Sequence, residues 1–501
     1  MRRAWLPIAC LVAAAACAQQ PRLSVTPHPP GAPPPGAVAL EADLTSIFQD
    51  PAFNNAVWGV LVRSLKTGDT LFALHPRSLL MPASNMKVVT VAAAGEALDW
   101  DRTFKTVVLA TGAVEHGVLQ GDLVVVGSGD PSLGGRPAAA GQAVFESWAA
   151  ELRARGISAI QGRIIGDDRA FEAQGLGTGW TWDDLSASYA TPMGALAFNE
   201  NTVRLTITPG SAVGDFATVE AVPVASGMRV EHAVRTIAKD ATGNIEVDRP
   251  GGSSVVRVSG TIAAGRVPVV RTVSVDSPTA LFVGALRQTL SARGIAVSGD
   301  AVAMVSLSSP PDLAHAVPLF TYTSPTLAQI ATVTLKVSQN LYADTLLRQM
   351  GCTAPPAPCT TQAGLKKVQQ VLKGWGVAPD SYVMVDGSGL SRYNYLTPDL
   401  LVAILTRMAN DDRHRGPFAD ALPIAGVDGT ISGRMKDTKA QNNARAKTGS
   451  IANARALSGY VTSADGEPLV FSIIANNFNV PQVEADRVID LAVVRLAQFR
   501  R

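Results

Sequence analysis

Histidine and cysteine are scarce in this chain of 501 residues, which has six of the first and four of the second. The histidines are scattered, with no His-x-x-Glu or His-Glu-x-x-His spacing, and this argues against a zinc hydrolase. An excess of either charge is also missing. With 43 basic and 41 acidic residues the net charge is +2, too balanced to point to nucleic acid or to an anionic surface as partner. Beyond the N-terminus no apolar run is long enough to span a bilayer. At 47% hydrophobic and 17% charged, the composition excludes bulk disorder and allows a large core, with length for roughly three domains.

The N-terminus reads as an export signal covering residues 1–18. Arg2 and Arg3 precede the apolar AWLPIACLVAAAAC, and Ala16-Cys17-Ala18 supplies a small-residue cleavage site. Cys17 as a lipid anchor is an alternative, but the large aliphatic residue expected three positions earlier is absent. Residues 19–37 form a proline-rich linker. The mature protein is therefore expected in the periplasm. Only Cys352 and Cys359 remain there, and in an oxidising compartment their proximity predicts a local disulfide.

Farther along, WGVLVRSLKTGDTLFALHP reads as a β-hairpin turning at Lys66-Thr67-Gly68-Asp69. An all-apolar helix around Lys87 follows. Residues 100–305 are rich in short alternating runs and read as a β-rich insertion. Ser324-Pro325 looks like an N-cap and first-turn proline for a helix ending near Val337, and a second helix is expected from Asn340 to Gly351. NARAKTGSI, ARALSGYVTS and PLVFSIIANNF look like consecutive antiparallel strands, with a last helix through VEADRVIDLAVVRLAQF.

Three short patterns could carry chemistry. Ser84 and Lys87 lie three apart, so a helix stacks them on one face. A serine hydroxyl needs a base, and a lysine in dry surroundings can be one. Ser338 and Asn340 flank a residue between two helical runs. A non-helical turn there would aim a hydroxyl and an amide at one site. Lys447-Thr448-Gly449-Ser450 offers a cation and hydroxyl for a carboxylate, and a glycine that lets an extended peptide approach a strand edge. The Ser84 and Ser450 backbone N–H groups would form an oxyanion hole. Each pattern is commonplace alone; Lys66-Thr67-Gly68 repeats the third tripeptide in a hairpin turn and is set aside as a decoy.

Together and in this order, MPASNMK, VSQNLYAD and AKTGS resemble the signature set of serine penicillin-binding proteins and β-lactamases. The long insertion between the first two motifs narrows the resemblance to the low-molecular-mass class C group, the D-Ala-D-Ala carboxypeptidases and endopeptidases of peptidase family S13. GDLVVVGSGDPSL, GWTWDDL, ALAFNENTV and VDGSGLSR are similar to that group as well. The resemblance implies an α/β (α+β) fold: a transpeptidase-like domain, an antiparallel sheet flanked by helices, built from residues 38–99 and 306–501. The 100–305 insertion would then hold two nested β-rich domains, the inner at about 203–270. It also implies a serine D,D-peptidase acting on peptidoglycan stem peptides through an acyl-enzyme, inhibited by β-lactams and needing no cofactor or metal. Asp184 and Arg392 match positions used around the peptide's side chain. The rivals are a β-lactamase and a non-catalytic cell-wall-binding protein of the same fold. No glutamate lies between Ser338 and Lys447, so the deacylating residue of class A β-lactamases is missing.

Overall fold

The computed structural model describes residues 35–136, 140–173, 175–224, 227–352 and 357–501. The export signal, Cys17 and linker residues 19–34 lie outside them. The last three residues assigned to the linker are helical, because helix α1 spans Pro35–Phe48.

The catalytic part is organised by a five-stranded antiparallel sheet. Strands β1 (Val57–Ser64) and β2 (Thr70–Leu74) form the expected hairpin, and β3 (Arg445–Ile451), β4 (Ala454–Thr462) and β5 (Pro468–Asn476) form a meander. The order is β2-β1-β5-β4-β3, so the two ends of the chain meet where β1 pairs with β5. Alternation along the strands feeds two cores. Val60, Val62, Phe471 and Ile473 pack under α1 and the C-terminal helix α6 (Gln482–Ala497), among Leu40, Leu44, Val488 and Val493. Leu61, Ala456, Val470 and Ile474 face the other way. There they meet α2 (Met86–Leu98), α3 (Leu327–Lys336), α4 (Asn340–Met350) and α5 (Pro398–Asn410). The first ten residues of α2 are all buried, which explains a helix apolar all round.

Helix α3 starts two residues later than the sequence suggests. Thr326 is its N-cap, in a reciprocal box with Gln329: each side chain takes a backbone N–H of the other. Ser324 instead accepts the Phe104 N–H at 2.9 Å. A Thr-x-x-Gln box satisfies two otherwise orphaned donors, and a single Ser-Pro cap satisfies one.

The inserted region carries its own sheet, ordered Ala301–Ala303, Ile164–Asp167, Leu123–Val126, Lys105–Ala110 and Val317–Thr323. Val317–Thr323 pairs antiparallel with Lys105–Ala110. Residues 306–323, assigned from sequence to the catalytic part, thus return through the inserted sheet before α3 begins. Between Thr202 and Ser274 two small sheets project from it. Cys352 and Cys359 are joined, just after α4.

Candidate active site

Ser84 sits in a single 3-10 turn, Ala83–Asn85, that runs into α2. Ala83 before it has φ 46°, a left-handed conformation that costs an alanine about 1–2 kcal/mol and is over-determined by its neighbours. Lys87, one turn on, is completely buried. Its Nζ lies 2.6 Å from Asn340 Oδ1, 2.7 Å from the Ser388 carbonyl and 2.8 Å from Ser84 Oγ. Asn340 is held in this sense because its Nδ2 donates to the Tyr189 carbonyl at 2.8 Å. Two of the three partners, an amide oxygen and a main-chain carbonyl, can only accept. In its neutral form the amine would give its two N–H bonds to them and turn its lone pair to the one partner able to donate, the Ser84 hydroxyl. Burial pushes the Lys87 pKa down to about 7, against the opposing pull of Asp344 and Asp386.

The second motif is presented by a break between helices. Helix α3 ends at Lys336, Ser338 adopts φ 61°, and α4 begins at Asn340. The left-handed residue turns the chain, so residues two apart reach one site, as the sequence requires. Gln339 points away to Glu200 at 2.6 Å, and Tyr189 and Glu200 both come from the inserted region. The insertion therefore buttresses the second motif.

The third motif lies on β3, the sheet edge. Lys447 is completely buried and donates to Ser338 Oγ at 2.9 Å and to the Thr448 carbonyl at 2.8 Å. Burial and the nearby Lys87 charge lower its pKa well below the usual lysine range. Asn85 Nδ2 donates to the Lys447 carbonyl at 3.1 Å and ties the nucleophile turn to this strand. Gly449 is required by that approach, since a Cβ there would lie 2.3 Å from the Pro82 carbonyl. Thr448 Oγ1 meets Thr430 Oγ1 at 2.8 Å, and the Ser450 hydroxyl accepts from Arg455.

All three motifs thus converge, linked through Lys87, Asn340, Ser338 and Lys447. Lys66-Thr67-Gly68 remains in its hairpin turn, where Lys66 and Thr67 donate their backbone N–H groups to Ser64 Oγ. Asp184 lies in a 3-10 turn and accepts from the Thr181 and Tyr189 hydroxyls at 2.5 and 2.6 Å. Arg392 is half-buried, and its backbone N–H meets the Gly179 carbonyl at 3.5 Å. The loops carrying these two residues touch each other, but among the described residues no ion pair joins the side chains. The single-residue reading missed Ser388, which supplies a carbonyl to Lys87, and Asp386, which organises that loop. Asp386 accepts from the Gly389 and Ser391 N–H groups, Asn394 Nδ2 and Trp180 Nε1. Both belong to VDGSGLSR, a stretch that the family resemblance had singled out without assigning them a task.

The match to known proteins covers nearly all of this architecture. Residues 40–498 fit the D-Ala-D-Ala carboxypeptidase 3 (S13) family. The chain belongs to that family. The D-alanyl-D-alanine carboxypeptidase of Actinomadura sp. (strain R39) is 34% identical over 473 residues, 92% of this chain and 85% of that one. Penicillin binding protein 4 (dacB) of Haemophilus influenzae superposes with a TM-score of 0.78 at 26% identity, covering 91% of this chain and 99% of that one. The Bd3459 predatory endopeptidase of Bdellovibrio bacteriovorus, at 14% identity and a TM-score of 0.50 over 88% of this chain and 93% of that one, shares the fold. The S13 chain is accordingly a serine-type D-Ala-D-Ala carboxypeptidase, a hydrolase.

Proposed function

We propose that Ser84 is the nucleophile and Lys87 its general base. Lys87 takes the hydroxyl proton, and Ser84 Oγ attacks the carbonyl of the penultimate D-Ala of a peptidoglycan stem peptide. The developing oxyanion is received by the Ser84 and Ser450 N–H groups. Ser338 passes a proton to the leaving D-Ala nitrogen, and the C–N bond breaks to give an ester on Ser84. Water then attacks the ester carbonyl, Lys87 takes its proton and returns one to Ser84 Oγ as the Oγ–C bond breaks, and the shortened stem peptide leaves with a free carboxylate. Lys447 and Thr448 hold the substrate's terminal carboxylate, whose negative charge returns Lys447 to its ammonium form. Asp184 and Arg392 are assigned to the stem-peptide side chain. The observation that carries the reading is the Lys87 amine, buried, with its Nζ 2.8 Å from Ser84 Oγ and its two other partners able only to accept.

Penicillin carries an acylating carbonyl and a carboxylate in the same relation and acylates the same serine. Mass spectrometry after incubation with penicillin should place an adduct on Ser84 and none on the S84A variant. An adduct elsewhere, or none, rejects the assignment. A chromogenic β-lactam should give a stoichiometric burst; sustained rapid turnover would favour a β-lactamase. The signal-like N-terminus supports action in the periplasm. Purified muropeptides then separate the two D,D-activities: released D-alanine marks a carboxypeptidase, and dimers falling to monomers mark an endopeptidase.

A further inference from the structure

Beside Lys87, the buried acid Asp344 has no task in the steps above. Asp344 lies on α4 one turn after Asn340, so both side chains share a helix face. Its Oδ1 accepts the Gly387 N–H at 2.7 Å and the Ser388 N–H at 3.1 Å. These bonds fix the backbone on the N-terminal side of Ser388, and Asp386 Oδ1 takes the Gly389 N–H of the next peptide, whose Ser388 carbonyl meets Lys87 Nζ at 2.7 Å. Asp344 Oδ2 is buried without a well-formed hydrogen bond, although the Ser388 hydroxyl lies near the carboxyl and favours its charged form. An asparagine would make both backbone bonds through its amide oxygen and avoid the cost of desolvating a carboxylate. A buried carboxyl with an oxygen so poorly bonded, two contacts from a catalytic base, calls for a use of its charge. Asp386 is different, because four donors occupy its two oxygens.

We propose that Asp344 is a positioning residue for the serine peptidase reaction. It anchors the Ser388 residue beside the Lys87 amine through the Gly387 and Ser388 N–H groups, and its ionisable carboxyl sets how readily Lys87 gives up a proton. The inference rests on Lys87 being the base for Ser84. The charged groups acting on the pair are few: Asp344 and Arg348 from α4, Asp386 from the loop, and Lys447 from β3. Burial and the Asp386 charge raise the Asp344 pKa to about 7, while Lys87 is brought down into the same range. A carboxylate at 344 holds the proton on Lys87, and a protonated Asp344 lets it go. Asp344 and Asp386 also line a cavity of about 320 Å³, bordered by Glu172, Thr361 and Met384. This cavity is the route we assign for proton exchange at the carboxyl.

The test is the pH dependence of Ser84 acylation by penicillin in Asp344→Asn. Asparagine keeps the backbone bonds and removes the charge, so Lys87 should deprotonate at lower pH. The acid limb should move down by on the order of one pH unit, with the plateau rate within a few-fold of wild type. Asp344→Ala, which also loses the backbone acceptor, should lower the plateau. An acid limb in Asp344→Asn that overlays the wild type overturns the proposal. If that variant does not fold, ¹³C NMR of the Asp carboxyls decides between the same outcomes. Besides Asp130, which burial raises to about 6, wild type should show a second Asp carboxyl titrating near neutral pH whose midpoint rises in Lys87→Met; if no such midpoint moves, the proposal is overturned. Absence of a Ser84 adduct in the wild type is a separate failure, of the underlying assignment.

Discussion

Replacing Gly389 by alanine should disable acylation while leaving most of the fold in place. Gly389 has φ 82°, and a Cβ there would sit 1.8 Å from the Ala83 carbonyl oxygen, where real contacts do not fall below 3.0 Å. The separation must therefore open by more than about 1 Å. The loop cannot easily yield, because Asp386 holds the Gly389 and Ser391 N–H groups at 2.7 Å. Displacement falls instead on Ala83 and Ser84, or on the Ser388 carbonyl that contacts Lys87. A misplacement of about 1 Å at reacting groups costs roughly 100-fold in rate. The left-handed backbone adds about 1–2 kcal/mol of destabilisation. Gly68→Ala is the matched control: its φ is 80°, with nothing within 4 Å of the added Cβ, so it carries the backbone cost alone. Stopped-flow acylation by a chromogenic β-lactam, with a thermal melt of each variant, separates the two effects. Both variants should melt a few degrees low, and only Gly389→Ala should acylate about 100-fold slower. A Gly389→Ala enzyme that acylates within twofold of wild type would refute the claim that the 386–391 loop positions the nucleophile turn.

Two further outcomes follow from the lysines. The base must be neutral and burial brings the Lys87 pKa to about 7, so the acylation rate should rise with pH through a limb centred near 7 and fall as the amine protonates below it; stopped-flow rates across that range check this, and a limb near pH 10 would contradict a buried base. Burial also lowers the Lys447 pKa, so an incoming carboxylate must draw a proton onto that amine. KM for a carboxylate-ended peptide should climb with pH, and Lys447→Ala should raise KM by about 10-fold or more, the loss of a charge-assisted bond worth about 1.5–3 kcal/mol. Steady-state kinetics on an amidated peptide, insensitive to the same change, provide the comparison.

The fold and most of the site were legible from local rules. Period-2 apolar runs marked the hairpin and the final meander. The apolar surroundings of Lys87 left two choices, an amine snorkelling to water or a dry one, and the burial of the helix selects the second. The order of the three motifs supplied the rest, since chance rarely places Ser84-x-x-Lys87, Ser338-x-Asn340 and Lys447-Thr448-Gly449 in that sequence. What stayed hidden depended on contacts between distant segments. Nothing near Thr326 alone announces that its box with Gln329 outcompetes Ser324, because Ser324 is drawn off by Phe104, far away in the chain. Nor does local pattern show Val317–Thr323 crossing to the inserted sheet, since a strand's partner is chosen by the edge it meets.

By itself the sequence determined which groups could react and that Lys87 lies one helical turn after Ser84, because residue chemistry and helix spacing are local properties. Only the tertiary structure decided that the Lys87 amine is buried and what surrounds it. The Ser388 carbonyl, the Asn340 amide and the Asp344 carboxyl come from segments some 250 to 300 residues away, and their fields and accept-only partners act on Lys87 only when packing removes the water between them.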